Sequence, residues 1–115
     1  MISPALVVER LNGSRSGEQI LQLRGSLTIN NLFEFQNSVR LEPASIQILD
    51  FTSVPYVDSA GVGALIGAFI AAQKAGRRII LVGLNERVRA LLQMTNVAAL
   101  FTTFVSIAQT EAALA

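Results

Sequence analysis

The order of hydrophobic patterns along the chain predicts an α/β domain. We expect a mixed, mostly parallel sheet of about five strands with about four helices, opening on an antiparallel hairpin. Three observations carry this. From Asn31 onward, helix-like and strand-like segments alternate strictly, the pattern that right-handed crossovers turn into parallel strands. Ile46–Phe51 and Arg78–Val82 are short and largely apolar rather than alternating, which suits strands covered on both faces. Finally, 115 residues with 51 % hydrophobic and 15 % charged content suffice for one buried core and leave little room for a second. We therefore take residues 1–115 as one domain.

Taken in order, Ala5–Leu11 is rich in Val and Leu and runs into Asn12-Gly13-Ser14, a strand entering a turn. Gln19–Arg24 alternates Gln19, Leu21 and Leu23 against Ile20, Gln22 and Arg24, a half-buried second strand that completes the hairpin. After Gly25, Asn31 with Glu34 three residues on forms a capping-box pattern for a helix carrying Leu32, Phe33, Phe35 and Val39, which Pro43 should end. Ile46–Phe51 is the central strand, and Thr52, Ser53, Pro55 and Tyr56 read as a polar bend. A helix pattern then runs from Ala60 to about Ala75 and stops at Gly76. Arg78–Val82 is a strand ended by Gly83. Asn85 caps the next helix, with Glu86 near its positive end and Thr95-Asn96 at its close. There Asn96 takes the left-handed position glycine usually fills. Phe101–Val105 is a last strand, and Ser106 with Gln109 boxes the start of a closing helix through Leu114.

Composition excludes several chemistries. Nine Lys and Arg against eight Asp and Glu give no basic footprint for nucleic acid. There is no His and no Cys, so neither a Ser-His-Asp centre nor a thiolate or imidazole metal site can be built. The absence of Cys also suits a reducing compartment. Met1-Ile2-Ser3-Pro4 lacks the basic and apolar regions of a secretory signal, and Ala60–Ala72 falls short of the ~20 residues of a membrane span. A cytoplasmic protein without membrane insertion is expected. Gly61, Gly63 and Gly67 do not match a dinucleotide loop, because their spacing is G-x-G-x-x-x-G and Gly61 stands ten residues past Phe51. The plainer role for Gly63 and Gly67, four apart on one helix face, is to admit another backbone.

The polar turn Val57-Asp58-Ser59-Ala60-Gly61-Val62-Gly63 therefore stands out. Asp58 or Ser59 should be the N-cap of the helix that follows. The turn lies beyond the carboxyl end of a central strand, where open α/β sheets meet ligands and partners. Ser59 has no neighbouring base: the nucleophile-elbow pattern fails at Val57, and Lys74, the single lysine, lies about four helical turns away. No enzyme activity of its own is expected. Phosphorylation of Ser59 would instead add about −1.5 to −2 charges beside Asp58. The helix beginning at Ala60 also carries more apolar residues than one buried stripe needs, which leaves either a deeply buried helix or a docking surface.

The stretch Ile48-Leu49-Asp50-Phe51-Thr52-Ser53-Val54-Pro55-Tyr56-Val57-Asp58-Ser59-Ala60-Gly61-Val62-Gly63-Ala64-Leu65 resembles the signature of the STAS domain, as found in bacterial anti-sigma factor antagonists. The similarity continues through Arg78–Gly83, the Asn85 helix and Met94-Thr95-Asn96-Val97. The resemblance implies a single STAS-like domain whose serine, here Ser59, is phosphorylated by an anti-sigma factor that is itself a serine kinase. The unphosphorylated form would bind that kinase and release the sigma factor, and a serine phosphatase would restore it. ATP would belong to the partner, leaving no cofactor here. Asp58 would assist at the phosphorylation site, while Ala60, Gly61 and Val62 at the helix start contribute to the docking face. Two departures stand out. The family's second strand usually ends in glycine, an acid, leucine and aspartate, whereas Gly25-Ser26-Leu27-Thr28 has neither acid, so Thr28 takes the partner-facing place. Asn96 stands where glycine is common. STAS-like domains also serve lipid-transport ABC complexes as constitutive subunits without phosphorylation, the alternative function. Thr52 and Ser53 are further candidate acceptors.

Overall fold

A computed structural model describes residues 5–41 and 44–114. The strands β1 (Val7–Asn12), β2 (Glu18–Arg24), β3 (Ile46–Ser53), β4 (Arg78–Val82) and β5 (Thr102–Phe104) form one sheet in the order β1-β2-β3-β4-β5. β1 pairs antiparallel with β2, and all other neighbours are parallel. The helices α1 (Leu32–Arg40), α2 (Ser59–Lys74), α3 (Glu86–Met94) and α4 (Ile107–Leu114) follow β2, β3, β4 and β5 respectively, with one 3₁₀ turn at Ala98–Leu100. The expected mixed sheet, opening hairpin and four helices are therefore observed.

Register explains why both faces of the middle strands are apolar. Leu21, Leu49 and Leu81 stand side by side, as do Ile20, Ile48 and Ile80. The leucine row joins Phe35, Val62, Leu65, Val88 and Leu92 in the main core beneath α1, α2 and α3. The isoleucine row meets Ile107 and Leu114 of α4. β2 is consequently buried on both faces at its centre, not half-buried as its alternation suggested. On the main-core side, the Phe69 ring of α2 meets Phe101 edge to face at 5.6 Å, a favoured aromatic geometry.

The local signals resolve in differing ways. Asn85 caps α3 by accepting the Val88 amide at 2.8 Å, and Asn96 adopts φ 59° after that helix, as expected of an Asn replacing glycine. Gly76 (φ 69°) and Gly83 (φ 73°) follow α2 and β4. The Gln109 amide donates to Ser106 Oγ at 3.1 Å, the first half of the box at α4, while Gln109 Oε1 accepts the Val105 amide at 2.8 Å instead of that of Ser106. The box at α1 does not form. Asn31 makes no side-chain bond to its helix; its Oδ1 accepts the Thr28 amide and its Nδ2 donates to the Ser26 carbonyl, at 2.9 and 2.6 Å. Asn31 thus folds the preceding loop back on itself. Thr52 and Ser53, read as a bend, belong to β3. Pro43, expected to end α1, lies outside the described residues. Among those residues no helix is long and apolar enough to cross a membrane.

Candidate functional site

Three loops leave the carboxyl edge of the parallel strands: residues 25–31 after β2, 54–58 after β3 and 83–85 after β4. They are stitched together. Leu27 donates its amide to the Tyr56 carbonyl at 3.0 Å and accepts the Asp58 amide at 3.1 Å, making a parallel bridge with Val57. Asn85 Nδ2 reaches the Val54 and Pro55 carbonyls, both at 3.3 Å. Bonds from separate loops converging this way hold the edge as a platform, because each buried polar group finds a partner in a neighbouring loop.

Asp58 is the keystone of that platform and the N-cap of α2. Its Oδ1 accepts the Gly61 amide at 2.8 Å, satisfying one of the donors a helix start leaves free. Its Oδ2 accepts the Ile29 amide at 3.0 Å, tying α2 to the loop after β2. Both carboxylate oxygens are spent on backbone. Ser59, considered above as a possible cap, is instead the first residue of α2. It is exposed, and its hydroxyl has no hydrogen-bond partner among the described residues.

The remaining residues expected on the docking face are placed less simply. Gly61 is buried because the loop after β2 lies on it: a Cβ there would stand 2.4 Å from the Leu27 carbonyl oxygen and 2.8 Å from Val57 Cγ1. Val62 is in the core. Both are buried, so what they contribute to the expected docking face is its shape rather than exposed surface. Ala60 is half-buried and lines a groove of about 340 Å³ between α1 and α2, with Phe35, Gly63 and Gly67. Thr28 is half-buried, and its Oγ1 accepts the Asn30 amide at 3.3 Å, so its side chain shapes its own loop. The expectation that another backbone approaches Gly63 and Gly67 is not met: a Cβ at either would touch nothing within 4 Å. α2 is not deeply buried either, since Gly63, Gly67, Ile70 and Ala71 are exposed. Thr52 Oγ1 donates to the buried Asp50 carboxylate at 2.6 Å, which occupies it as a candidate acceptor.

Sequence reasoning missed two exposed apolar side chains, Ile29 and Phe33, at 64 % and 73 % exposure. Ile29 donates its amide to Asp58, and an Ile among Thr28, Asn30 and Asn31 has no strand or helix face to enter, which was a readable sign. A groove of about 560 Å³ runs between the loop after β3 and α3, lined by Tyr56, Ser59, Arg87, Leu91 and Met94 among others.

The sequence profile of the STAS domain matches residues 11–110. This chain belongs to the STAS domain family. Over 47 residues it is 36 % identical to a protein named anti-sigma-B factor antagonist in Listeria monocytogenes. That stretch spans 41 % of this chain and 41 % of the relative, well under half of either. Among solved structures, a candidate anti-sigma factor antagonist from Thermotoga maritima superposes with TM-score 0.82 at 21 % identity, covering 90 % of this STAS domain and 91 % of that chain. The anti-sigma factor antagonist SpoIIAA of Bacillus, in its unphosphorylated form, gives 0.74 at 16 % identity, covering 93 % and 96 %. At these identities the structural likeness establishes the fold.

Proposed function

We propose that this STAS domain is an anti-sigma factor antagonist switched by phosphorylation of Ser59. The unphosphorylated form binds an anti-sigma factor with serine kinase activity and thereby frees the sigma factor. The observation that carries this reading is the contrast at the α2 start: Asp58 is fully engaged while adjacent Ser59 is exposed and unbonded. Its support from relatives is the likeness to an anti-sigma-B factor antagonist, and to SpoIIAA, which is known in both unphosphorylated and phosphorylated forms.

In the transfer, Ser59 Oγ bonds to the γ-phosphorus of ATP held by the partner, the bond to the ADP oxygen breaks, and the hydroxyl proton passes to a partner base. Asp58 already accepts the Gly61 and Ile29 amides, which hold it as the cap beside Ser59, and in this reading the chain is the substrate of the partner's kinase. A serine phosphatase hydrolyses the ester and resets the switch. The added charge sits at the positive end of α2, an arrangement worth ~0.3 to 1 kcal/mol in favour of the fold. The protein stays folded, and the surface that meets the partner becomes strongly negative beside Asp58.

Incubation with the cognate kinase and ATP, followed by mass-spectrometric mapping, tests the reading: phosphate on Ser59 supports it, and none there sinks it. Ser59→Ala should keep partner binding, and Ser59→Asp should weaken it about tenfold or more, a loss of ~1.4 kcal/mol. The exposed small-residue face of α2 at Gly63 and Gly67 also suits a constitutive subunit of a lipid-transport ABC complex; co-purification with a membrane ATPase, with no Ser59 phosphate, would select that reading.

A further inference from the structure

We propose that Arg87 on α3 is the counter-ion for a phosphate carried by Ser59, laying that phosphate across the groove between the loop after β3 and α3. The inference rests on Ser59 being the phosphorylated residue. Three observations carry it.

The first is placement. Ser59 and Arg87 line the same groove of about 560 Å³, together with Tyr56, Leu91 and Met94. The charged groups that line it are Asp58 and Arg87, and Tyr56 is the other titratable one. Asp58 repels a phosphate and already gives both oxygens to the Gly61 and Ile29 amides. Arg87 is therefore the cation available within the groove, and the Tyr56 hydroxyl is a further donor.

The second is that Arg87 is unengaged. It is exposed and has no ion pair or hydrogen bond among the described residues. Arg15 pairs with Glu18 and Glu111, Arg24 with Glu9, and Arg89 donates to the Leu84 carbonyl; Arg40, Arg77 and Arg78 also show no side-chain partner among the described residues, but none of them lines this groove.

The third is that Arg87 is badly placed for its own helix. Asn85 is the cap of α3 and Glu86 its first residue, so Arg87 puts a cation in the first turn, where the helix dipole favours an anion. A local rule broken on an exposed side chain, with no compensating contact, marks a residue kept for something outside the fold. A guanidinium presents a planar fork of donors matched to phosphate oxygens, and a phosphate on Ser59 supplies the missing anion.

The test installs phosphoserine at position 59 during translation, so that no kinase is needed, and follows the phosphate by ³¹P NMR across pH 4 to 8. A phosphate facing a cation loses its second proton more easily than the usual value of about 6. In the parent phosphoprotein that value should lie below that of the Arg87→Ala variant by about half a pH unit, the scale of an exposed charge pair. Arg87→Lys should fall between them, since a point charge replaces the fork. Arg89→Ala, on the same helix outside the groove, should leave the titration unchanged. Coincident curves for the parent and Arg87→Ala, or an equal effect of Arg89→Ala, would overturn the proposal. Failure of a kinase to modify Ser59 would count against the proposed function instead, leaving this titration intact.

Discussion

Gly61 and Gly63 lie two residues apart in α2, yet the structure demands opposite outcomes when each becomes alanine. At Gly61 the new Cβ would stand 2.4 Å from the Leu27 carbonyl oxygen, 2.8 Å from Val57 Cγ1 and 3.1 Å from Leu27 Cγ. The carbonyl is backbone and cannot swing aside without disturbing the 3.1 Å bond it accepts from the Asp58 amide. Overpacking of this kind costs ~1–3 kcal/mol, and loosening that bond adds ~1 kcal/mol. The better helix propensity of alanine returns at most ~1 kcal/mol, so Gly61→Ala should be destabilised by about 1–3 kcal/mol. At Gly63 the Cβ meets nothing within 4 Å, and the same propensity should stabilise Gly63→Ala by ~0.5–1 kcal/mol. For a domain of this size 1 kcal/mol shifts Tm by roughly 4 °C, so the two variants should melt about 10 °C apart. Urea unfolding with an unchanged m-value would attribute the difference to stability. If Gly61→Ala melts at or above Gly63→Ala, the packing of the loop after β2 on α2 is misassigned and the platform argument fails with it.

Asp58→Ala removes both the cap on Gly61 and the bond to Ile29, and should cost ~2 kcal/mol by urea denaturation. Asp58→Asn, with one carbonyl oxygen left, should lose about half of that by the same principle; equal stability of all three proteins would remove Asp58 as the keystone. Ser59→Ala, at an exposed and unbonded position, should change stability by less than ~0.5 kcal/mol, and a larger loss would mean that Ser59 has a structural role. At the opposite end of the sheet, the Glu111 carboxyl titrates above its usual 4.5 because it hydrogen-bonds the Glu18 carboxyl, is partly desolvated and feels the Glu18 charge, with Arg15 working the other way. An acid raised in the folded state contributes stability that is complete below the unfolded value and is lost as pH climbs through the folded one. Wild type should therefore lose stability from about pH 4.5 upward relative to Glu111→Gln, and parallel profiles of the two in chemical denaturation would refute the raised Glu111 carboxyl.

The order of elements was readable because each strand and helix obeys its own period and its own punctuation. Asn85, Asn96, Ser106 and Gly76 do in three dimensions what their types suggest locally. Where reading failed, a contact between distant segments had overruled a local preference. Asn31 looks like a helix cap but spends its amide on Ser26 and Thr28, because the loop after β2 must fold back to meet Tyr56 and Asp58. Gly61 looks like a surface residue of a docking turn, and only the arrival of the Leu27 carbonyl explains its burial. Gly63 and Gly67 looked like sites of close approach, yet a Cβ at either would meet nothing within 4 Å among the described residues. Ser59 was legible as the residue of interest; the groove it shares with Arg87 was not, since 28 residues separate them in sequence.

The stiffness of the platform also bears on how such a switch would act. A phosphate that worked by remodelling its own domain would need a bistable element near Ser59. The surroundings instead hold fixed bonds: Asp58 to Gly61 and Ile29, Leu27 to Tyr56, Asn85 to Val54. Breaking several of these at ~1 kcal/mol each exceeds the ~0.3 to 1 kcal/mol that the helix dipole gains from the new charge. The energetics therefore favour a phosphate that changes what a partner meets over one that changes the fold. On that ground amide chemical shifts of phosphorylated and unphosphorylated protein should differ near Ser59 and Arg87 while the β2, β3 and β4 amides coincide. Shifts spread through those strands would show a second conformation of the sheet, and the switch would have to be sought there.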